Sequence, residues 1–290
     1  MPVSLYIEQI INGLIAGSMY ALIGGGIALV YGVTRVLNMA HGEFYMLGGY
    51  GVFYLVVAHA VPPVAAIPLV ALLLFALGVI VQRLTIHYLL PREGWAFACI
   101  AATLGLSIAF QNLALVTFGE DYKAVPYYVD GVLRLGDVRL PLQRALMLAV
   151  AVITLLAMAF ILKKTRFGWA LRAAAQDADA ASVCGIPVGR VHMITFGLSA
   201  ALGAIAAAML APIYSVSPWM GLPVLFKGFV VVILGGLGSF PGAIVGGFLL
   251  GIVEAIGVQL TSAEWRDAIG FAVMILVVWL RPWGLFGKPQ

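Results

Sequence analysis

The chain has 290 residues, of which 63% are hydrophobic and only 10% are charged, and its mean hydropathy is +1.08. Soluble domains carry about a quarter charged residues, so this composition excludes an ordinary soluble enzyme, a disordered chain and a nucleic-acid-binding protein. The net charge of +4 comes from 16 Lys and Arg against 12 Asp and Glu. In membrane proteins an excess of basic residues marks the cytoplasmic connections, and we interpret it in that way rather than as a site for an anionic partner.

Long stretches without charge alternate with short polar connections along the whole chain. A membrane-spanning helix needs about 20 mainly apolar residues. The sequence therefore predicts an all-α, polytopic transmembrane helical bundle with eight or nine spans, including broken or re-entrant helices. The predicted spans are 9–31, 44–61, 64–82, 95–118, 143–162, 191–213, 224–238, 242–260 and 266–282.

The connection over 163–190 carries five basic and two acidic residues and is therefore predicted to be cytoplasmic. The connection over 120–144 then lies outside, and nine spans also place the N-terminus outside, whereas eight or ten would place it inside. Residues 127–140 alternate around Asp-Gly and Gly-Asp turns, which predicts a small β-hairpin on the extracytoplasmic face.

Glycine is frequent, with 34 residues in the chain. Small residues four apart let helices pack closely within lipid, and three such pairs are predicted to pack helices within the chain: 13 with 17, 242 with 246, and 247 with 251. Runs of glycine instead weaken a helix. The run 24–26 and the segment 235–242 therefore predict broken or hinged helices, and such breaks line substrate paths in transporters. The candidate path residues here are Gly235, Gly236, Gly238 and Ser239.

Polar residues between the first two predicted spans form the most informative local cluster: Asn38, His41 and Glu43. In one interpretation Asn38 caps the second helix and Glu43 favours its positive N-terminal end. In the other, a half-helix points its N-terminal amides into a cavity as a gate or as a site for a polar group. Glu254 is a further candidate, because a carboxylate within an apolar stretch is costly, while Lys227 is expected to extend to the outer surface.

The connection over 163–190 contains an Ala-rich stretch that favours a helix from Trp169 to Cys184, ended by Gly185 and Pro187. Its small-residue face has too little apolar bulk to bind lipid and fits a groove of another protein. The alternative is an amphipathic connector lying on the membrane. The candidate docking residues are Arg172, Ala174, Asp177, Ala178, Asp179, Ala181 and Gly185.

The chain contains no phosphate-binding G-x-x-x-x-G-K-[ST] loop, no H-E-x-x-H and no G-x-S-x-G motif, and its four histidines are scattered. We therefore expect no catalytic residues, no metal site and no cofactor. Energy for uphill transport would come from an ion gradient or from another chain.

Four stretches together resemble one family from end to end: the membrane permease of ABC importers for branched-chain amino acids, in the shorter of its two permease types. The first reads Asn-Gly-Leu-Ile-Ala-Gly-Ser-Met-Tyr-Ala-Leu at 12–22, and the second reads Leu-Asn-Met-Ala-His-Gly-Glu-Phe-Tyr-Met-Leu-Gly at 37–48. The third is Arg-Phe-Gly-Trp-Ala-Leu-Arg-Ala-Ala-Ala-Gln-Asp at 166–177, followed by Ala-Ala-Ser-Val-Cys-Gly-Ile at 180–186. The fourth is Val-Ile-Leu-Gly-Gly-Leu-Gly-Ser-Phe-Pro-Gly-Ala-Ile-Val-Gly-Gly at 232–247, with Arg-Pro-Trp-Gly-Leu-Phe-Gly at 281–287. Permeases of urea importers look similar, so the motifs specify the family more closely than the cargo.

The resemblance implies one permease domain over 1–290 in the bacterial inner membrane, with a coupling helix within 173–186. It also implies a second permease chain as a heterodimer partner, two cytoplasmic ATPases and an extracytoplasmic substrate-binding protein. Transport would proceed by alternating access. The alternatives are a urea or short-amide importer, an ion-coupled carrier or channel, and, with the least support, an intramembrane enzyme.

Overall fold

A computed structural model describes residues 3–135 and 138–287, and these fold almost entirely as helices. The first half contains α1 (Val3–Thr34), α2 (His41–Phe53) with a π-helical turn (Tyr54–Ala58), α3 (Pro63–Val81) with a second π-helical turn (Gln82–Ile86), α4 (His87–Leu89) and α5 (Trp95–Phe118). Next come strands β1 (Val132–Leu135) and β2 (Val138–Pro141). The second half contains α6 (Leu142–Lys164), α7 (Arg166–Gln176), α8 (Ala178–Val183), α9 (Val188–Leu210), α10 (Gly221–Gly235), α11 (Phe240–Leu260), a 3-10 turn (Ala263–Trp265) and α12 (Arg266–Leu280).

All nine segments predicted as spans lie on helices, which confirms the polytopic all-α bundle. Within the described part of the chain, six helices are long and apolar enough to cross a membrane: Tyr6–Thr34, Pro63–Leu89, Trp95–Phe118, Leu142–Lys164, Val188–Leu210 and Phe240–Leu260. The other three predicted spans correspond to α2, α10 and α12, which have 13, 15 and 15 residues. Helices of 15 residues are too short to cross about 30 Å of hydrocarbon on their own, whereas α2 continues directly into the π-helical turn and so extends to Ala58.

The bundle has two distinct ends, because α6 runs from the β-hairpin to α7. We call the end with α7 and α8 the inner end and the end with the hairpin the outer end. The two strands pair antiparallel, with Val132 opposite Pro141, which confirms the predicted hairpin. Its predicted Gly-Asp turn at 136–137 lies outside the described residues.

Helix α1 occupies the centre of the bundle. It packs against α6, α9, α10 and α11, and most of its residues from 13 onward are buried. Helices α3, α5 and α6 instead expose large apolar side chains such as Leu72, Val116 and Ile153. Because this surface is apolar and covered by no other part of the described chain, it is suited to contact lipid.

The small-residue pairs predicted to pack helices do so within this chain. A Cβ atom added to Gly17 would lie 2.8 Å from the carbonyl oxygen of Gly247, and one added to Gly13 would lie 2.8 Å from the Cα of Ile252. Gly251 lies against the backbone of both α1 glycines. The two helices run antiparallel and touch backbone to backbone, which only residues without side chains permit.

The predicted break at Gly24–Gly26 is wrong, since α1 is continuous through all three residues. Each glycine instead makes room for a neighbouring side chain: Val231 against Gly24, Phe240 against Gly25 and His41 against Gly26. Tertiary packing on three sides holds a segment whose intrinsic helix propensity is poor.

Replacing Gly17 with Leu should disrupt the α1–α11 contact. Four extra carbon atoms meet backbone that cannot move aside, and we expect a loss of about 3 kcal/mol or more in the free energy of unfolding. Gly105→Leu is the matched control, because nothing lies within 4 Å of a Cβ placed there. Thermal unfolding of the purified protein in detergent measures both; equal melting temperatures for the two variants would contradict the packing model.

Candidate functional site

Helix α2 begins inside the bundle rather than at its surface. His41 Nδ1 lies 3.1 Å from Ser199 Oγ, which is halfway along α9, and the ring also contacts Gly26 of α1. Both partners lie well within spanning helices. The N-terminus of α2 is therefore placed at membrane depth, as expected for a half-helix.

The turn before α2 explains this placement. Asn38 is buried, and its Oδ1 accepts a hydrogen bond from Ala40 N at 3.0 Å. The N-cap position is occupied by Ala40, without a side-chain cap. The expectation that Asn38 caps α2 is thus wrong in detail: it closes a turn that directs the chain back into the bundle. Glu43 does lie in the first turn, as expected.

Helix α10 begins against the start of α2. A Cβ atom added to Gly221 would lie 2.8 Å from the carbonyl oxygen of Gly42 and 3.0 Å from Glu43 Oε1. Glu43 Oε1 also accepts a hydrogen bond from Ser107 Oγ at 3.0 Å. Two half-helices therefore meet with their N-terminal, positive ends beside one carboxyl group, which is a favourable arrangement. Ser107, Ser199 and Gly221 were not assigned to this cluster from the sequence, because each is distant from Glu43 and His41 along the chain.

Part of this cluster has no hydrogen-bond partner within the described chain. The atoms concerned are Asn38 Nδ2, His41 Nε2 and Glu43 Oε2, all in buried side chains. Buried polar atoms are normally paired, so three unpaired atoms at one helix start distinguish this region from an ordinary helix cap.

The glycine-rich segment after α10 lies elsewhere, at the inner end. Gly236 and Gly238 have φ angles of 104° and 80°, and Ser239 Oγ accepts a hydrogen bond from Gly242 N at 3.1 Å as the N-cap of α11. Gly238 lies against Gly32, and the peptide groups of Leu285 and Phe286 donate to the last carbonyls of α10, those of Leu234 and Gly235. The helix break is present, but it is not brought together with Asn38, His41 and Glu43.

A cavity of about 760 Å³ lies in the outer half of the bundle. Its walls come from α1, α6, α10, α11 and α12 and from the segment after α9. Most of the lining is apolar and includes Ile15, Met19, Met147, Val224 and Val258. None of the seven candidate path or gate residues predicted from the sequence lines it, although Tyr45, in the first turns of α2, does.

One wall of the cavity carries a charged cluster. Glu254 is 3% exposed, forms an ion pair with Lys227 and accepts a hydrogen bond from Tyr20 Oη at 2.9 Å. Lys227 Nζ also lies 2.9 Å from Asp267 Oδ1. The expectation that Lys227 extends to the outer surface is therefore wrong, because a buried carboxylate on α11 attracts it. Sequence spacing could not reveal the cluster, since its members lie on four helices.

A second polar pair lines the same cavity. Arg144 Nη1 on α6 donates to Asn12 Oδ1 on α1 at 2.6 Å. Neither residue was a candidate in the sequence, because the pair is 132 positions apart and each residue alone looks like an ordinary helix-end group.

The connection at the inner end forms two helices, not the single helix predicted from Trp169 to Cys184. Asp177 is extended, with φ −154° and ψ 109°, and its Oδ1 accepts hydrogen bonds from Asp179 N and Ala180 N as the N-cap of α8. A residue whose side chain caps a new helix competes with continuation of the old one. Gly185, with φ 82°, follows α8.

Helix α7 packs on the bundle, whereas most of α8 projects from it. Leu171 and Ala174 are buried with Val33 of α1 and Val191 of α9. Of the candidate docking residues, Ala174 and Ala181 are therefore buried, while Arg172, Asp177, Ala178, Asp179 and Gly185 are exposed. The predicted uniform small-residue face is thus divided: its first part is occupied within the chain, and the rest faces outward together with Val183, which is 89% exposed.

This arrangement defines a multi-pass membrane protein with interrupted helices inside the bundle, a cavity in its outer half and a helical projection at its inner end. The family model for the permease component of branched-chain amino acid transport systems matches residues 9–278. The chain therefore belongs to this family.

Individual relatives agree with the family match. The high-affinity branched-chain amino acid transport permease BraD of Pseudomonas aeruginosa is 33% identical over 98% of this chain and 97% of its own length. The corresponding permease LivH of Escherichia coli K12 is 33% identical over 98% and 96%. A solved inward-facing ABC transporter of metal-chelate type is 16% identical and covers 93% of this chain and 85% of its own, with a TM-score of 0.47.

Replacing Lys227 with Met should destabilise the protein by about 3 to 5 kcal/mol, because it leaves the buried Glu254 carboxylate without its cation. The double variant Lys227→Met/Glu254→Gln should recover most of this loss, since Gln still accepts the hydrogen bond of Tyr20. Lys164→Met, at an exposed position on α6, is the control. Thermal unfolding in detergent measures all three; a double variant no more stable than the single one would show that the ion pair does not determine stability here.

Proposed function

We propose that this chain is the transmembrane permease subunit of an ATP-driven importer that moves branched-chain amino acids across the cytoplasmic membrane. The observation that carries the proposal is the match over nearly the whole chain to permeases whose names specify this transport. The helices, the interruptions and the inner projection all lie within the matched range, so the comparison covers every part that the mechanism uses.

The inner connection, residues 163–190, is proposed as the segment that couples the permease to an ATPase. The support for this proposal is the way in which α7 and α8 are attached to the bundle. Helix α7 is fixed to α1 and α9 through Leu171 and Ala174, while α8 and Gly185 present an exposed surface. A force applied to α8 would therefore be transmitted to the helix at the centre of the bundle. Val183, which is 89% exposed, adds one apolar side chain to that surface.

ATP hydrolysis is assigned to partner chains, and this chain is proposed to have no enzymatic activity. The support is the absence of a phosphate-binding loop from the whole sequence. Two cytoplasmic ATPases, an extracytoplasmic binding protein and a second permease chain complete the proposed importer. The second chain is favoured because two of the side chains that line the cavity, Phe226 on α10 and Phe271 on α12, are large, apolar and exposed.

Alternating access is the proposed mechanism. The outer cavity receives the substrate, and the meeting of α2 and α10, with Asn38, His41 and Glu43, is the candidate gate below it. The turn with Gly235, Gly236, Gly238 and Ser239 is proposed as a hinge at the inner end, because its positive φ angles tolerate rotation that an α-helix resists. ATP binding would move α8 and thereby shift α1 against α11.

Uptake into proteoliposomes distinguishes the candidate functions. The chain is reconstituted with the two ATPases, the second permease chain and the binding protein of the proposed importer, and radiolabelled leucine uptake is measured with and without ATP. ATP-dependent uptake that isoleucine and valine reduce and urea does not would support the proposal. Competition by urea would support a urea importer, and uptake without ATP that an uncoupler abolishes would support an ion-coupled carrier.

If the inner connection binds the ATPase, a substitution on its exposed surface should weaken ATPase binding and leave folding of the bundle unchanged. Ala178→Trp places a large side chain on an exposed surface, so the permease should fold normally while its affinity for the ATPase falls by about tenfold or more. Glu93→Trp, on another exposed turn at the inner end, is the matched control. Co-purification and ATP-driven leucine uptake are the measurements; normal values for both in Ala178→Trp would contradict the docking role.

Asp177 allows charge and capping to be separated at the same position. Asn is as good an N-cap as Asp, whereas Ala loses the cap and costs about 1 kcal/mol locally. Asp177→Asn should therefore retain coupling if the shape of α8 is what the ATPase binds, and Asp177→Ala should lose it. Equal loss in both variants would show that the carboxylate itself makes the contact.

A further inference from the structure

Arg144 stands out among the charged side chains that line the outer cavity. Lys227 is neutralised by Glu254 and Asp267, and Arg266, which also lines the cavity, is exposed at the N-terminus of α12. Within residues 3–135 and 138–287, Arg144 forms no ion pair, and its Nη1 donates a hydrogen bond to the neutral amide of Asn12 at 2.6 Å. The cavity wall therefore carries a guanidinium group whose charge no described carboxylate compensates.

Arg144 occupies an electrostatically unfavourable position in α6 when no anion is bound beside it. It lies in the first turn of α6, which has no acidic residue there. A cation near the N-terminus of a helix opposes the helix dipole. The guanidinium and the helix end together create a positive potential at one wall of the cavity, and an anion bound there would be favoured by both.

The apolar walls of the cavity indicate the chemistry of the rest of the ligand. Ile15, Met19, Met147 and Val224 surround the same space with aliphatic side chains. Ligand sites typically combine such apolar walls with a few polar groups that fix orientation. A small molecule with a carboxylate at one end and an aliphatic group at the other fits both the positive wall at Arg144 and the apolar walls.

We propose that Arg144 binds the carboxylate of an α-amino acid in the outer cavity while its aliphatic side chain contacts the apolar walls. This inference rests on the proposed function and adds to it a binding residue within the permease. The bond is a charge-assisted, fork-like hydrogen bond between the guanidinium and the two carboxylate oxygens.

Transport of leucine by the complete importer tests the proposal. Arg144→Gln should lower leucine uptake per ATP hydrolysed by about tenfold or more, the effect of losing one charge-assisted hydrogen bond. Arg144→Lys should retain more uptake than Arg144→Gln because it keeps the charge. Arg139→Gln, at an exposed site on the outer hairpin, should stay within about twofold of the native protein.

Thermal unfolding in detergent separates ligand binding from a merely structural tether between α1 and α6. Asn12→Ala breaks the hydrogen bond between the two helices and reports what that bond contributes to stability. A native melting temperature in Arg144→Gln together with the loss of uptake supports the proposal. A melting temperature that falls in Arg144→Gln as far as in Asn12→Ala would mean that the pair holds two helices together, and would overturn it.

A labelling experiment tests the same idea with Arg144 in place, and so does not depend on the folding of its variants. Ala16 lines the cavity one turn from Asn12 on the same face of α1. In a chain with Ala16→Cys, Cys99→Ala and Cys184→Ser, an anionic methanethiosulfonate should react faster than a cationic one, each rate being taken relative to that reagent's rate with a small free thiol in solution. Leucine should slow the reaction and leucinamide, which lacks the carboxylate, should not.

Each outcome has a definite consequence. Equal rates for the two reagents, or equal protection by leucine and leucinamide, overturn the assignment of Arg144. Protection by phosphatidylglycerol but not by leucine would assign the guanidinium to a lipid phosphate and also overturn it. If the native importer transports no leucine, the proposed function fails; if it does and Arg144→Gln transports equally well, only the present inference fails.

Discussion

Close backbone contact between α1 and α11 is the constraint on which the rest of the bundle depends. Inside lipid there is no water to drive helices together, so stability comes from packing at short range. Glycines at 13, 17, 247 and 251 let two antiparallel helices touch without intervening side chains. This contact holds α1 at the centre, where its other faces contact α2, α9 and α10. The polar and irregular features are all arranged around that one helix.

Interrupted helices are tolerated here because protein surrounds them. Backbone groups without a helical partner are too costly against lipid and survive only where other parts of the chain or a cavity accommodate them. The starts of α2 and α10 satisfy this condition, since each lies against the other and against α9 or α1. The turn between α10 and α11 is covered instead by residues 283–287. Two kinds of break thus coexist, one inside the bundle and one at its inner end.

A single helix connects the two regions that the proposed mechanism needs. The inner end of α1 packs on α7 through Val33 and Leu171, and its outer half supplies Ile15 and Met19 to the cavity. In the proposed mechanism, a movement of the inner projection would reach the outer cavity through α7 and α1. Because α1 and α11 touch along smooth glycine faces, they can shift relative to each other at smaller steric cost than helices with interlocking side chains.

The sequence by itself determined what depends on local composition: the membrane class, the nine helical segments, the outer hairpin, the glycine pairs and the exposed inner connection. It also located the polar start of α2, because Asn38, His41 and Glu43 are close in the chain. Only the tertiary structure decided which residues meet over long separations. It kept α1 intact at Gly24–Gly26, paired Lys227 with Glu254 and placed Arg144 against Asn12. The physical reason is that a helix break or a buried charge is stable or unstable according to its neighbours in space, and those neighbours lie on other helices.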